Sequence, residues 1–492
     1  MNLKNITLSA ALIILFGVIT CHAGLTVKPA ITHSVDYSNA IEQAISEVQF
    51  KTNWCFANEV GPNEKESIKS LQEAAEQGDA EAQFYLAVCY AKGQGVKENN
   101  KEAEKWFRKA AEQGQCAAQS CLGFFYAHGI GVKENESEAV KWWRKSAIQG
   151  YDQAQYDLGM CYFSGMGVEK NETKGVTLIR KAADQGHPDA QYFIGMCYQN
   201  GLGVSANKTE MIKWYRKAAE QGHAEAQFDL AACYDQGNGV DKNSKEAANW
   251  CRKAADQGFG SAQSVMGGYY ASGEGVTQDA KEAFKWWHKA AEQGQASAQY
   301  ALAFSYRGGH GVETNFTEAV KWFRKAADQG FAQAQYELGW CYYDGIGVSK
   351  DLPKAVEWYR KAADQEIVEA QFNLGVCYEH GFGVSKNLVK AIELFQKAAG
   401  QGAAEAQTKL AGYYFTGEGI PQDSTKAVEC YQKAANQGLS EAQYNLGCCY
   451  NEGKGVKKSK QEAIKWFSKA AEQGYEGAIE ALKELGQPEK LK

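Results

Sequence analysis

A stretch of 36 residues, from Asp79 to Gly114, recurs along the chain and constrains its fold more than any other feature. Shifting the frame by 36 residues restores the same pattern eleven times, up to Gly474, and no copy gains or loses a residue. A strict period of this length is typical of proteins that stack one small structural unit after another. Each unit buries its apolar surface against its neighbours, so a chain of 492 residues needs no single large core.

Each copy contains two helices separated by a glycine turn. Apolar residues recur at helical spacing from Ala80 to Lys92, which we name helix A. Gly93 follows and suits the left-handed residue that ends many helices. The position of Asn99 is Asn, Asp or Ser in every copy, as expected of an N-cap, and predicts a second helix, helix B, that runs to about Gln113. The pattern therefore predicts an all-α chain of helix pairs.

The copies resemble the Sel-like repeat, a relative of the tetratricopeptide repeat, over Asp79 to Gly474. They match its pattern A-E-A-Q-x-x-L-G-x-x-Y-x-x-G-x-G-V-x-x-D/N-x-x-x-A-x-x-W-Y/F-x-K-A-A-E/D-Q-G. The resemblance implies an α-solenoid in which stacked antiparallel helix pairs form a right-handed superhelix. It also implies an adaptor scaffold of the exported bacterial type that binds other proteins, and it supplies no catalytic residues.

The ends of the chain depart from the pattern. Residues 1–23 carry a short apolar run followed by Cys21-His22-Ala23, which predicts a secretory signal peptide; the alternative is a lipoprotein anchored at Cys21. In residues 44–78, Trp54 and Val60 fall on repeat positions but both turn glycines are missing, which predicts a degenerate capping repeat. The predicted organisation is a signal peptide (1–23), a leader (24–43), the degenerate cap (44–78), eleven repeats (79–474), and a C-terminal capping helix and tail (475–492).

The charge and hydropathy of the sequence limit the classes of partner that we expect. The formal net charge is −6 with acidic and basic residues interspersed, so we expect no nucleic-acid partner. No stretch after residue 23 reaches 18 apolar residues, so we expect no membrane span. We expect an exported monomer that resides in the periplasm or is secreted.

The 14 cysteines raise the question of disulfides in an exported chain. Seven occupy one helix A position: Cys89, Cys161, Cys197, Cys233, Cys341, Cys377 and Cys449. Equivalent positions in adjacent copies lie about 10 Å apart, too far for a bridge, so these seven are expected to be buried free thiols. One irregular bridge among Cys251, Cys430 and Cys448 stays open.

Catalytic and metal-binding patterns are missing from the sequence. The eight histidines show neither H-E-x-x-H nor a Cys/His metal spacing, so we expect no catalytic residues, metal or cofactor. A cysteine-rich branch of the resembled family is reported to bind or hydrolyse β-lactams. That branch has a second cysteine in helix B, where this chain has the equivalents of Ala110-Ala111. A β-lactam-binding or β-lactamase-like hydrolase is therefore the alternative, and we expect no enzyme.

The positions at which the copies differ are where a partner is expected to bind. The resemblance places helix A on the concave face, with the equivalents of Glu81, Phe84, Val88, Ala91 and Lys92 pointing towards a partner. Aromatic and arginine side chains are common interface anchors. The predicted partner-binding residues are the densest such run: Phe304, Arg307, Tyr336, Trp340, Tyr343 and Asp344. Burial of the Phe84 and Val88 positions between neighbouring helices is the competing interpretation.

The predicted function is thus an exported scaffold that binds a protein or an extended peptide on its concave face, in host interaction or envelope signalling. A passive structural spacer is a further alternative.

Overall fold

The computed structural model describes residues 64–487, which form 24 helices and no strand within that range. They divide into two compact units, residues 64–278 and 279–487, and the boundary lies between the two helices of the sixth copy. Residues 64–278 form α1 (Glu64–Glu76), α2 (Ala80–Lys92), α3 (Asn100–Glu112), α4 (Cys116–His128), α5 (Glu136–Ile148), α6 (Asp152–Ser164), α7 (Glu172–Asp184), α8 (Pro188–Asn200), α9 (Lys208–Glu220), α10 (Ala224–Gln236), α11 (Ser244–Asp256) and α12 (Gly260–Ser272). Residues 279–487 form α13 (Ala280–Glu292), α14 (Ala296–Gly308), α15 (Phe316–Asp328), α16 (Ala332–Asp344), α17 (Leu352–Asp364), α18 (Val368–His380), α19 (Leu388–Gly400), α20 (Ala404–Thr416), α21 (Ser424–Asn436), α22 (Ser440–Glu452), α23 (Lys460–Glu472) and α24 (Glu476–Glu484).

The even-numbered helices are the A helices and the odd-numbered ones are the B helices. Within each unit, consecutive helices pack against each other in a repeating manner, which confirms the predicted all-α solenoid. The predicted helix A of the first copy matches α2 at both ends. Each pair buries small and apolar side chains at its contact, such as Phe84 of α2, whose ring centre lies 5.8 Å from that of Phe107 of α3.

Local capping explains why helices of the same length recur. Gly93, which ends α2, has φ 70°, and its backbone N–H donates to the carbonyl of Cys89. This left-handed conformation is easy only for glycine. Asn99 begins α3, and its side-chain oxygen accepts from the backbone N–H groups of Lys101 and Glu102. Both predicted caps are confirmed.

A small residue in the middle of helix A marks a close approach of helix B. At Gly195 of α8, an added Cβ would lie 2.4 Å from Cδ1 of Tyr215 in α9. Tyr215 is almost fully buried and has no room to withdraw. A larger residue at position 195 would therefore force the two helices apart.

Two recurring polar contacts were not predicted. Gln83 is buried and donates from Nε2 to the carbonyl of Ala75, while Gln113 donates to Oε1 of Gln83 at 2.8 Å. The same glutamine pair recurs in both units, for example between Gln329 and Gln299. These bonds satisfy polar groups that would otherwise be costly to bury, and they explain why glutamine recurs at both positions.

The invariant helix A tyrosine also joins consecutive copies. Arg216 of α9 donates from Nη2 to the hydroxyl of Tyr234 in α10 at 2.7 Å. Arg360 and Tyr378 make the same bond in the second unit, at 3.1 Å.

The predicted end segments lie largely outside the described residues. The signal peptide, the leader, Trp54 and Val60 all fall in residues 1–63. The helix α1 occupies the helix B position of the predicted degenerate repeat. The C-terminal helix α24 buries Ala478 and Leu482.

Candidate partner-binding site

The six predicted partner-binding residues lie on two A helices of residues 279–487. Phe304 and Arg307 belong to α14, and the other four belong to α16. The structure brings three of them into one cluster: Cζ of Arg307 lies 4.0 Å from the ring centre of Phe304 and 5.5 Å from that of Trp340. Placing a guanidinium against aromatic rings in this way is favourable.

A residue that was not predicted holds this cluster in place. Glu337 of α16 is buried, and its Oε2 accepts from Nη1 of Arg307 at 2.6 Å. Burial raises the pKa of the Glu337 carboxyl, although the charge of Arg307 and its hydrogen bond oppose that increase. A buried carboxylate paired with a guanidinium fixes the orientation of both groups.

The contact between Arg307 and Glu337 joins two repeat positions that also meet in other copies. A residue near the end of an A helix lies opposite the residue 30 positions later, which belongs to the first half of the next A helix. Glu379 and Lys409 form this contact with the charges exchanged, at 3.0 Å. In the first unit, Phe163 and Phe193 form it as an edge-to-face ring pair at 5.2 Å. We call such contacts inter-helix pairs; complementary residues 30 apart are the sequence signal that could have identified Glu337.

The remaining predicted residues form a second aromatic group beside the cluster. The ring centre of Tyr336 lies 5.9 Å from that of Tyr359. Tyr343 lies between Tyr359, at 6.4 Å, and Phe382, at 6.2 Å. Phe382, which was not predicted, is 37% exposed. Asp344 is exposed at the end of α16.

Exposure separates the predicted residues into two roles. Phe304 is only 8% exposed and also packs against Phe323 and Tyr300. Its ring therefore lies beneath the predicted surface, where it supports the guanidinium of Arg307. Tyr300, at the same repeat position as Phe84, is buried as well, as the competing interpretation expected. Trp340, Tyr336 and Tyr343 are each partly exposed. A partner would therefore contact the α16 residues, with Phe382 beside them.

The described cysteines are all free thiols, and no bridge joins Cys251, Cys430 or Cys448. Six of the seven thiols in the shared helix A position are buried, and Cys89 is partly buried. Burial raises the pKa of Cys341 to about 12 and that of Cys377 to about 11. A thiol in this state is a poor nucleophile, because the thiolate is the reactive form. Within residues 64–487, no group of three or more His, Cys, Asp or Glu side chains could hold a metal ion.

The family model of the Sel1 repeat matches the chain in eleven consecutive segments, from residues 80–115 to residues 440–475. The chain belongs to the Sel1 repeat family. Proteins built from Sel1 repeats generally act as protein-interaction scaffolds and are typically not enzymes. The β-lactam hydrolase alternative finds no support in the family or in the fold.

Two solved structures of Sel1-type proteins are similar to the chain. One is c5321, a protective antigen present in uropathogenic Escherichia coli strains that displays an SLR fold; it is 35% identical with a TM-score of 0.79, over 88% of this chain and 94% of that one. The other is a Sel1 repeat protein from Oxalobacter formigenes, which is 31% identical with a TM-score of 0.50, over 66% of this chain and 93% of that one. No curated protein matches the sequence closely enough to count as a relative. Among residues 64–487, no helix has both the length and the apolar character needed to cross a membrane.

Proposed function

We propose that this Sel1 repeat protein is an exported, non-catalytic scaffold that binds a protein or an extended peptide on the A-helix side of residues 279–487. Trp340, Tyr343 and Phe382 provide the contact area, and Asp344 provides an exposed charge at its edge. The observation that carries the proposal is the fixed Arg307–Glu337 pair beneath Trp340. A partner that meets side chains already held in position loses less conformational freedom on binding.

Capture experiments with matched variants test the proposal. Trp340→Ala combined with Tyr343→Ala removes the proposed contact area. Phe316→Ala removes an exposed aromatic side chain from the first turn of the B helix α15 and serves as the control. We expect a partner to be captured by the wild type and by Phe316→Ala but not by the double variant. With the purified partner, we expect the double variant to bind about tenfold more weakly or worse, as is typical of aromatic anchors.

Two results would contradict the proposal. If the folded double variant retained every interaction of the wild type, the chain would act as a passive spacer or bind elsewhere. Turnover of the chromogenic β-lactam nitrocefin by the purified protein, abolished by one substitution, would favour the hydrolase alternative. Circular dichroism and thermal melting establish that each variant is folded.

Export is the second part of the proposal. It is supported by the apolar run and small-residue cleavage site in residues 1–23, and by the similarity to a protective antigen. Export predicts that deleting residues 1–23 retains the protein in the cytoplasmic fraction, whereas the full sequence yields a shorter protein outside it. Equal retention of both forms would show that these residues are not a signal.

A further inference from the structure

Well-exposed apolar side chains are rare in the described part of the chain, and two of them lie on one turn. Among residues 64–487, the exposed large apolar residues are Ile148, Phe316, Phe382 and Val389. Phe382 is 37% exposed and Val389 is 59% exposed, and both belong to the ninth copy. They lie within residues 380–392, which lead from the end of α18 through the glycine turn into the first half of α19.

The same segment differs from its equivalents in charge. In every other copy, the residues at these repeat positions include at least one aspartate or glutamate. Residues 380–392 contain no acidic residue and carry Lys386 and Lys390, which are both exposed. Nζ of Lys390 lies 5.5 Å from the ring centre of Tyr378, and neither lysine forms an ion pair within residues 64–487. We call residues 380–392 the basic turn.

Folding does not explain these side chains, because other copies carry different ones at the same positions. The position of Val389 is elsewhere Lys, Ser, Thr, Gln or Pro, and that of Lys390 is Glu in most copies. The roles that folding requires belong to other residues of the turn: Gly381 ends α18 in the left-handed conformation, and Asn387 caps α19. An exposed apolar residue that the fold does not need is typical of a contact surface.

The charges around the basic turn do not cancel its lysines. Glu379, which precedes the turn, binds Nζ of Lys409 at 3.0 Å. In the turns before and after, the remaining charges outside ion pairs leave one excess negative charge, against two positive charges in the basic turn: Asp344, Lys350 and Glu418. The net charge of −6 is spread over the whole chain, and salt at about 0.1 M screens charges that lie more than about 10 Å away. The field close to the basic turn is therefore positive.

Several backbone groups of the basic turn are satisfied within the fold. The N–H groups of Gly381 and Phe382 both donate to the carbonyl of Cys377, at 2.8 and 2.9 Å. The N–H of Asn387 donates to the carbonyl of Tyr378 at 2.9 Å. Backbone groups without such partners are costly to place in an apolar medium. The turn can therefore leave water for a less polar boundary without changing its conformation.

These features fit the surface of an anionic membrane. Apolar side chains that project from a protein can enter the boundary between headgroups and acyl chains, while nearby lysines meet anionic headgroups. The basic turn lies where an A helix ends and a B helix begins, so its side chains project from the edge of the helix pair. Projecting side chains enclose no part of a protein partner, whereas a lipid bilayer accepts them without a matching pocket.

We propose that the basic turn binds the surface of a membrane that contains anionic phospholipids. Phe382 and Val389 enter the boundary region, and Lys386 and Lys390 contact the headgroups. The protein lies on the membrane and does not cross it. Phe382 also borders the surface proposed around Trp340, so the test leaves Phe382 unchanged, and the membrane proposal does not rest on that surface.

The test measures sedimentation of the protein with vesicles made of equal parts of phosphatidylglycerol and phosphatidylcholine, at low ionic strength. Vesicles of phosphatidylcholine alone are the lipid control. The test variant combines Lys386→Glu, Val389→Thr and Lys390→Glu. Each new residue occurs at the same repeat position in other copies, so the repeat pattern is kept.

A matched control variant makes the same three kinds of change elsewhere. It combines Ile148→Thr, Lys245→Glu and Lys281→Glu, which alter exposed residues of other B helices. Both variants therefore lose one exposed apolar side chain and reverse two positive charges. A difference between them reports on the basic turn and not on the net charge of the protein.

We expect the wild type and the control variant to bind the anionic vesicles equally, within roughly twofold. We expect the test variant to bind at least about tenfold more weakly, because each lysine close to an anionic surface contributes about fivefold. Unchanged binding of the test variant, an equal loss in the control variant, or equal binding to phosphatidylcholine vesicles would each overturn the proposal. Displacement from the vesicles by polyglutamate at equal concentration of charge would assign the turn to an acidic protein and would also overturn it.

Chemical footprinting of the unmodified protein gives a second test that does not depend on variant folding. An acetylating reagent modifies lysine amines that water can reach, and mass spectrometry identifies each modified residue. We expect anionic vesicles to protect Lys386 and Lys390 but not Lys245 and Lys281. Equal protection of all four lysines, or protection of none, would contradict the proposal.

Discussion

Arg307 and Glu337 lie thirty residues apart and form an ion pair between consecutive A helices, with Nη1 and Oε2 at 2.6 Å. Glu379 and Lys409 occupy the same two repeat positions with the charges exchanged, at 3.0 Å. The same position pair thus accepts either polarity, which shows that register between A helices, and not the identity of one residue, creates the contact. The two pairs differ mainly in the exposure of the cation: the Arg307 side chain is 19% exposed and that of Lys409 is 41% exposed, whereas the Glu337 and Glu379 side chains are 9% and 13% exposed.

This difference predicts unequal costs of breaking the two pairs. Arg307→Ala leaves Glu337 buried without a cation and is expected to lower the free energy of unfolding by about 3 kcal/mol. Lys409→Ala leaves Glu379 with a hydrogen bond from the hydroxyl of Tyr413 at 2.6 Å, and because the lost cation was itself largely exposed, the change is expected to cost less than about 1 kcal/mol. Urea unfolding followed by circular dichroism measures both. Adding Glu337→Gln to Arg307→Ala should recover part of the lost free energy of unfolding, since a neutral amide is less costly to bury than a carboxylate. If Arg307→Ala and Lys409→Ala lowered the free energy of unfolding equally, this reasoning would be contradicted.

Two glycines in A helices are expected to respond in opposite directions to alanine. Gly195→Ala places a Cβ 2.4 Å from the buried ring of Tyr215 and should destabilise the protein by about 2 kcal/mol. Gly268 lies in the middle of α12, and a Cβ there would meet nothing within 4 Å. Gly268→Ala should therefore stabilise the protein by up to about 1 kcal/mol through helix propensity alone. Thermal melting compares the two, and a shift of the same sign in both would show that close approach is not what selects glycine at position 195.

The helices could be predicted from the sequence because their determinants are local and repeated. Three determinants depend only on neighbours within a few residues: the cap at Asn99, the left-handed glycine at Gly93 and the apolar spacing of α2. Equivalent residues occur in every copy. The family and the fold class followed from the same pattern.

The candidate site was predicted less completely because its contacts cross between copies. Glu337 meets Arg307 only through the register of α16 on α14, which a pattern within one copy does not encode. For the same reason Phe304 was placed on the surface, whereas the ring is buried against Phe323 of α15. Side chains at the variable positions can therefore be assigned to surface or core only once neighbouring A helices are in place.

The cysteines predict a graded thiol reactivity. In the native protein, a thiol reagent such as Ellman's reagent should modify the partly buried residues Cys116, Cys430 and Cys448 first. It should leave Cys89 and Cys121 until the chain unfolds, because burial raises their pKa to about 11 and about 12. The fully buried thiols should also react only after unfolding: Cys161, Cys197, Cys233, Cys251, Cys341, Cys377 and Cys449. Burial raises the pKa of Cys161 to about 12, so almost no thiolate is present at neutral pH.

Mass spectrometry of the modified peptides distinguishes the two groups of thiols. After unfolding without a reductant, all twelve described thiols should react, because each is free. A described cysteine that reacts only after reduction would reveal a disulfide, and uniform native reactivity would contradict the burial of the second group.

Asp157 predicts a pH-dependent stability of the first unit. Burial, aided by the charges of Asp189 and Asp152, raises the pKa of this carboxyl to about 7, against the hydrogen bond from Gln153. The folded state therefore binds a proton more tightly than the unfolded chain, whose carboxyl has a pKa near 4. The contribution of Asp157 to stability is fully present below the unfolded value and is lost as the pH rises through about 7.

Asparagine at this position resembles the protonated carboxyl at every pH. Asp157→Asn should match the wild type near pH 4 and exceed it by on the order of 2 kcal/mol near pH 8, with most of the difference developing between those values. Urea unfolding across this range measures the effect, with Asp184→Asn as an exposed control that should show no such trend. A difference between Asp157→Asn and the wild type that stays constant with pH would mean that Asp157 titrates normally. In that case, the wild type would not lose stability between pH 4 and pH 8 because of this carboxyl.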